Sequence, residues 1–439
     1  MLTLDRFAGN PILSRNKNNP WEQDSVFNGS IAKGKDRYHF VYRAMSTLGH
    51  STIGYAESRD RVSFENRRQF IYPEHDWEKF GCEDPKVTEF EGSYYIFYTA
   101  LSSFPPSAKD IKVGVAITSD FNGTHEKHLV TPFNAKAMAL FPERINGKIA
   151  AILTVNTDTP PSKITLVFFD SIEQIWDNNF WEDWYKKLDL HIIGLLRSTY
   201  DQIEVGSPPI KTRDGWLIFY SYIKNYFSSL PVFGIEAILL DNNNPRMLIG
   251  RTSQPVLLPE EDYELHGTVS NIVFPSGAII HNDEVGVYYG ASDTYCCLAT
   301  CSLDDLLTEF RHLDYVEIPS VSRTKIFSRY SDNPIISPIP EHKWESKYTF
   351  NPAAIYEGGK VHIIYRAMGN DETSVFGYAG SSDGVHIDER LTNPIYIPRE
   401  EFEMKSKPGY SGCEDPRITR IDDQIYMLYT AFRGVEPIR

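Results

Sequence analysis

The sequence predicts an all-β chain built from many short strands, and three observations carry the expectation. Brief alternating or apolar runs rich in Tyr, Phe, Val and Ile recur along it, at 38–42, 94–98, 113–117, 149–153, 164–169, 216–220, 237–240 and 285–289. Pairs and triplets that favour turns punctuate them, such as Glu91-Gly92, Asn146-Gly147 and Arg213-Asp214-Gly215. The text is also written twice, once at length and once in part. Evenly spaced short strands fit a sandwich, a barrel or a propeller, and periodicity does not choose among the three.

The repeat fixes where units begin. Asn10-Pro11-Ile12 returns as Asn333-Pro334-Ile335, Phe27-Asn28 as Phe350-Asn351, and Tyr42-Arg43-Ala44-Met45 as Tyr365-Arg366-Ala367-Met368, all at an offset of 323. Past an eight-residue insertion the offset is 331, and Gly81-Cys82-Glu83-Asp84-Pro85-Lys86 returns as Gly412-Cys413-Glu414-Asp415-Pro416-Arg417. The expected division is a full unit over 1–325 and a truncated second copy, first strands only, over 326–439. The proline-rich stretch 333–340 marks the junction. Such a chain is expected to be a fragment of a longer tandem protein, or a complete unit beside a shortened one.

One segment departs from strand spacing. Ile172, Ile175, Trp176, Phe180, Trp181, Trp184 and Leu188 recur at helical intervals and predict an amphipathic helix laid on the outside of the β body.

The balance of 44 basic against 59 acidic residues gives a net charge of -15, which argues against a nucleic-acid partner. The first residues lack an apolar core behind a basic stretch, and no long apolar run occurs, so no membrane partner and a soluble, cytoplasmic protein are expected. Cys296, Cys297 and Cys301 cluster without histidines at zinc-ligand spacing. They read as buried thiols, and no metal is expected.

The acidic pair Glu83-Asp84 precedes a proline, which pushes Asp84 out of the helical region into an extended or turn conformation. On an extended backbone adjacent side chains point to opposite faces, so one carboxylate would face a central cavity while the other is held in the wall. A carboxyl buried in a cleft serves as a general acid if burial raises its pKa. Taken alone, the same tripeptide reads more readily as a strand-entry turn, with Asp84 capping backbone amides.

The set formed by Tyr42-Arg43-Ala44, Gly81-Cys82-Glu83-Asp84-Pro85-Lys86, Leu140-Phe141-Pro142-Glu143-Arg144-Ile145-Asn146-Gly147-Lys148, Pro208-Pro209-Ile210-Lys211-Thr212, Asn271-Ile272-Val273-Phe274 and Tyr288-Tyr289-Gly290-Ala291-Ser292-Asp293-Thr294 resembles glycoside hydrolase family 130. The order matches throughout the first unit, and the second resembles the beginning of the same family. The resemblance implies a five-bladed β-propeller, followed by a partial second one, whose funnel binds β-mannosides. It implies an inverting phosphorylase that moves a mannosyl group from a β-mannooligosaccharide to inorganic phosphate, giving α-mannose 1-phosphate. Phosphate is then a co-substrate and no cofactor is needed.

On the same resemblance Asp84 is the catalytic acid, acting through a sugar hydroxyl, and Arg43, Lys211 and Lys86 are the phosphate-binding cations. Glu83, Asn28, Asn271, Asp293 and Tyr289 are the candidates for sugar contacts. Arginine offers phosphate a two-pronged fork, and Lys86 in place of the usual arginine loses it. Leu153-Thr154-Val155 and Tyr220-Ser221-Tyr222 stand where the family commonly carries two more basic side chains. Fewer cations leave room for two alternatives: a β-1,2-mannosidase using water, with Glu204 or Glu236 as base, and a carbohydrate-binding propeller without catalysis. Homo-oligomerisation is left open.

Overall fold

The computed structural model describes residues 2–105, 107–228, 231–310, 316–317, 330–434 and 437–438. The chain divides into two compact units, Met1–Ser322 and Arg323–Arg439. The boundary expected between 325 and 326 lies outside the described residues.

The first unit is all-β and consists of five consecutive antiparallel meanders. The first runs through Ser25–Lys33, Tyr38–Met45, Ser51–Ser58 and Glu65–Ile71. The second runs through Gly81–Phe90, Ser93–Leu101, Ile111–Thr118 and Glu126–Leu129. A parallel bridge from Ser51 to Gly81 joins these two into one sheet. The third has Ala135–Leu140, Ile149–Val155 and Lys163–Phe169. The fourth has Gln202–Val205, Trp216–Lys224, Val232–Leu240 and Met247–Arg251. The fifth has Val273–His281, Glu284–Ala291 and Tyr295–Ser302, to which the N-terminal strand Asp5–Arg6 adds by pairing with Thr300 and Ala299. The turn pairs do what their sequence asks: Glu91-Gly92 and Asn146-Gly147 take φ of 51° and 85°, and 50° and 79°, the two positive values of a tight hairpin turn.

Strands buried on both faces explain the near-continuous apolar runs. In Ile149–Val155 the odd residues 149, 151 and 153 enter a core shared with the second meander, while Ala150 and Ile152 enter one shared with the fourth. In Trp216–Lys224 the residues Trp216, Ile218, Tyr220 and Tyr222 face the third meander, and Leu217 and Phe219 face the fifth. Two further cores lie between first and second meanders, around Val41, Ile53 and Ile96, and between fifth and first, around Phe40, Tyr42 and Tyr288. Each meander is thus packed against the next, and the last against the first.

The helical segment is shorter than its spacing predicts. Asp177 caps an α-helix over Asn178–Tyr185, with 3-10 turns over Glu173–Trp176 and Leu188–Leu190 on either side. Ile175, Trp181 and Trp184 bury themselves against the second and third meanders, as an outer packing helix should. All five cysteines are buried and free. No helix among the described residues is long and apolar enough to cross a membrane.

The second unit is a seven-stranded sheet that repeats the first two meanders, with Ser374 bridging Gly412 where Ser51 bridges Gly81. Its outer faces are barer. Leu428 is 70% exposed, whereas Phe97, at the same repeat position, is fully buried between second and third meanders.

Candidate active site

Inner strands of four of the five meanders carry a β-bulge, and three of these bulges aim a polar side chain at one place. Register slips between Phe27 and Ser30, between Glu83 and Lys86, between Lys136 and Ala139, and between Pro275 and Gly277. An extra residue in one strand re-aims its side chains. At the first three slips Asn28, Asp84 and Ala137 adopt φ of 51°, 51° and 52°, strained values for residues with a Cβ.

The result corrects the alternation argument. Glu83 and Asp84 both line a single cavity of about 500 Å³, because the bulge interrupts the pleat between them. Asn28, Arg43, Lys136, Glu204 and Asp293 line it as well, so every meander contributes a polar group. Phe80, Phe104, Phe233, Ile272 and Phe274 supply apolar wall.

The centre of the site is a short network. Asn28 donates from Nδ2 to Asp84 Oδ1 at 2.7 Å. Arg43 donates to the same Oδ1 at 3.4 Å, to Glu83 Oε1 at 2.5 Å, and through Nε to Ser51 at 3.1 Å. Its guanidinium also lies 4.9 Å from the centre of the Phe27 ring, which packs one face. Across the cavity Lys136 pairs with Glu204 at 2.6 Å.

These charges set one another. Burial alone would raise the Asp84 carboxyl, but Arg43, Lys136, the Asn28 amide and Lys86 outweigh it and hold the group below its ordinary value. The expectation that burial would lift this acid therefore fails in the resting site, because the surrounding cations dominate. Burial does raise Glu83 and Glu204, against the opposing pull of Arg43 and Lys136 respectively. Asp293 is pushed up to about 6, by burial first and then, against Arg43, by the negative charge of Asp84.

Lys86 is buried completely, and its Nζ has no hydrogen-bond partner among the described residues. It sits 5.5 Å from the centre of the ring of Phe274, a lining residue, and does not itself line the cavity; burial lowers it to about 8.

Three other residues expected at the site lie elsewhere. Lys211 is half exposed and forms an ion pair with Glu143 on the surface; its short strand Ile210–Lys211 pairs with Leu217 and Trp216, at the other end of Trp216–Lys224 from the Glu204–Ser221 pairing. Tyr289 donates to Glu264 at 2.7 Å in the protein interior. It is one of a series of buried Tyr–Glu pairs, with Tyr42–Glu22, Tyr98–Glu78, Tyr220–Glu236 and, in the second unit, Tyr365–Glu345. These pairs tie strands together, and that role also absorbs Glu236. Asn271 takes a φ of 62° and does not line the cavity, although its neighbour Ile272 does.

Sequence reasoning missed Lys136 altogether and named Glu204 only as a base for an alternative. No local signal marks either. Each sits in a short strand whose other residues are buried, Ala135–Leu140 and Gln202–Val205, and that burial is a property of the fold rather than of the local sequence.

The family model described as beta-1,4-mannooligosaccharide phosphorylase matches residues 4–312 and again residues 318–437. The 1,2-beta-oligomannan phosphorylase of Thermoanaerobacter sp. (strain X514) is 29% identical over 316 residues, 70% of this chain and 99% of that protein. The beta-1,2-mannobiose phosphorylase of the same organism is 30% identical over 315 residues, 68% of this chain and 97% of that protein. Among solved structures, the beta-1,2-mannobiose phosphorylase of Listeria innocua in complex with beta-1,2-mannobiose superposes with a TM-score of 0.59 at 23% identity, covering 70% of this chain and 99% of that one. At that identity the likeness is one of fold.

Proposed function

This chain belongs to glycoside hydrolase family 130, and from that premise we propose that its first unit is an inverting β-mannoside phosphorylase. It transfers a mannosyl group from a β-mannooligosaccharide to inorganic phosphate and releases α-mannose 1-phosphate. The observation that carries the reading is the network of Asn28, Asp84, Arg43 and Glu83 lining a cavity that Lys136 also lines.

Asp84 is the acid that supplies a proton to the departing glycosidic oxygen. Phosphate, already an anion, attacks the anomeric carbon from the opposite face, so no second carboxylate is needed to activate it. Arg43 and Lys136 are the cations within the cavity, in place of the expected Lys211. Their effect on the resting acid has a consequence for the order of events. An incoming phosphate offsets the positive charge that holds Asp84 ionised, and the acid then takes up its proton. Asp293 and Asn28 are the polar groups left to meet sugar hydroxyls.

The same proposal makes the five meanders the blades of a propeller over residues 1–325. The cyclic order of the five cores and the pairing of Asp5–Arg6 with the last meander support it. Residues 326–439 are then a copy of the first blades.

A hydrolase on the same scaffold is the second reading, and Glu204 favours it. This carboxylate faces the cavity, and burial raises it toward the range of a general base. Incubating the protein with β-1,2- or β-1,4-mannobiose, with and without phosphate, separates the two. Mannose 1-phosphate formed only with phosphate supports the phosphorylase; mannose released at the same rate without phosphate rejects it.

A further inference from the structure

A second cavity, of about 460 Å³, adjoins the first, and Phe80 lines both. Its volume is in the range of built ligand pockets. Trp21, Tyr72 and Phe80 present aromatic surface, with Tyr72 and Phe80 47% and 40% exposed. His50, Thr52 and Gln69 supply imidazole, hydroxyl and amide groups. Thr52, also in the lining, is buried, and its Oγ1 has no hydrogen-bond partner among the described residues.

This mixture fits a sugar. The C–H face of a pyranose stacks on exposed rings, while its hydroxyls exchange hydrogen bonds with neutral polar groups. Duplication within the chain separates this pocket from the acid network. The second copy keeps Asn351, Arg366, Glu414 and Asp415, but carries Thr373 where His50 stands, Val375 for Thr52 and Ser411 for Phe80. The pocket is therefore a feature of the first unit and is not required for building the network.

We propose that the cavity lined by Trp21, His50, Thr52, Gln69, Tyr72 and Phe80 is a distal subsite. It holds mannosyl units of a β-mannooligosaccharide beyond those at Asp84, and so makes this protein prefer oligosaccharides over the disaccharide. The inference rests on the β-mannoside reading given above and deepens it by assigning chain length.

The test compares Tyr72→Ala, Gln69→Ala and Thr52→Val with the unaltered chain, on β-mannobiose and β-mannotetraose of the active linkage. Tyr72 and Gln69 are exposed enough for their replacement to leave the fold intact. Tyr72→Ala is expected to lower kcat/KM for the tetraose about tenfold and to leave the biose within about twofold, since a single subsite contact discriminates by about that factor. Equal losses on both substrates, or no loss on either, overturn the distal subsite while leaving the β-mannoside reading intact. Absence of both turnover and binding of every β-mannoside overturns that reading and the subsite with it.

Discussion

Asn28 and Asp84, 56 residues apart, occupy matching bulges in adjacent meanders, share a φ of 51°, and meet in a 2.7 Å hydrogen bond. Their repeats Asn351 and Asp415, at φ of 47° and 51°, meet at 2.7 Å as well. Two backbones in the left-handed region hold one carboxylate, and the chain builds this arrangement twice.

Replacement of Asp84 by Asn removes the proposed proton donor while keeping a side chain of the same size beside Asn28. Turnover should fall by about 10³-fold or more, in line with the loss of a general acid. Calorimetric titration with mannobiose should still register binding. Unchanged kcat would remove Asp84 from the mechanism.

Of the charges that hold Asp84 down, Arg43 acts most strongly. In Arg43→Gln the acid keeps its proton to higher pH, and the basic limb of the kcat/KM profile should move up by about 1 unit, the lower end of what one opposing charge contributes. The maximal rate should fall, because Glu83 and Asp84 lose their common donor. A basic limb that stays in place would sever Arg43 from the acid.

Lys86 is a cation buried without a hydrogen-bond partner among the described residues. Lys86→Met should stabilise the fold at pH 7 by about 1–3 kcal/mol, since burial of this ammonium outweighs the attraction of Asp84 and Glu204, and an apolar chain of similar length replaces it. Lowered to about 8, the lysine binds fewer protons folded than unfolded. Its penalty is full below that value and disappears as pH rises through about 8 to about 10. Chemical denaturation at pH 7 and pH 10 should therefore show the gain of the variant shrinking at the higher pH.

Asp293, with its pKa pushed up to about 6, has the opposite sign. The folded state holds its proton longer than the unfolded chain, so ionisation costs stability as pH rises from about 4 through about 6. Asp293→Asn should stabilise the first unit by about 1–2 kcal/mol at pH 7, a figure reduced for the side chain's opening to the cavity. No gain should appear at pH 4, and a gain of equal size at both pH values would contradict the assignment.

Asp415→Asn in the full chain should leave turnover unchanged. The second unit repeats the pairs Arg366–Glu414 and Arg366–Asp415 at 2.6 and 3.1 Å. It has no described counterpart of Lys136, Glu204 or Asp293, which complete the first cavity. A loss comparable to that of Asp84→Asn would make the second unit a working site.

Much of this protein was legible in its sequence. The Glu-Asp-Pro repeat announced the tandem, Tyr/Val/Ile runs between Asn-Gly and Glu-Gly turns announced the strands, and the ordered motifs announced the family. These features are local, written in residues that are neighbours in the chain. Three-dimensional pairing decided what each residue of the motifs faces. A bulge formed against Thr99 and Phe97 turned Asp84 to the same side as Glu83. Lys136 and Glu204, in the third and fourth meanders, became partners across the cavity. Lys211 and Tyr289, equally prominent in the sequence, were drawn to a surface ion pair and an interior Tyr–Glu pair. The sequence by itself determined the strands, the repeat and the kind of chemistry available. Only the tertiary structure decided which charges share the cavity, because strand register and bulge position are settled by hydrogen bonds to neighbouring strands, and a shift of one residue sends a side chain to the opposite face.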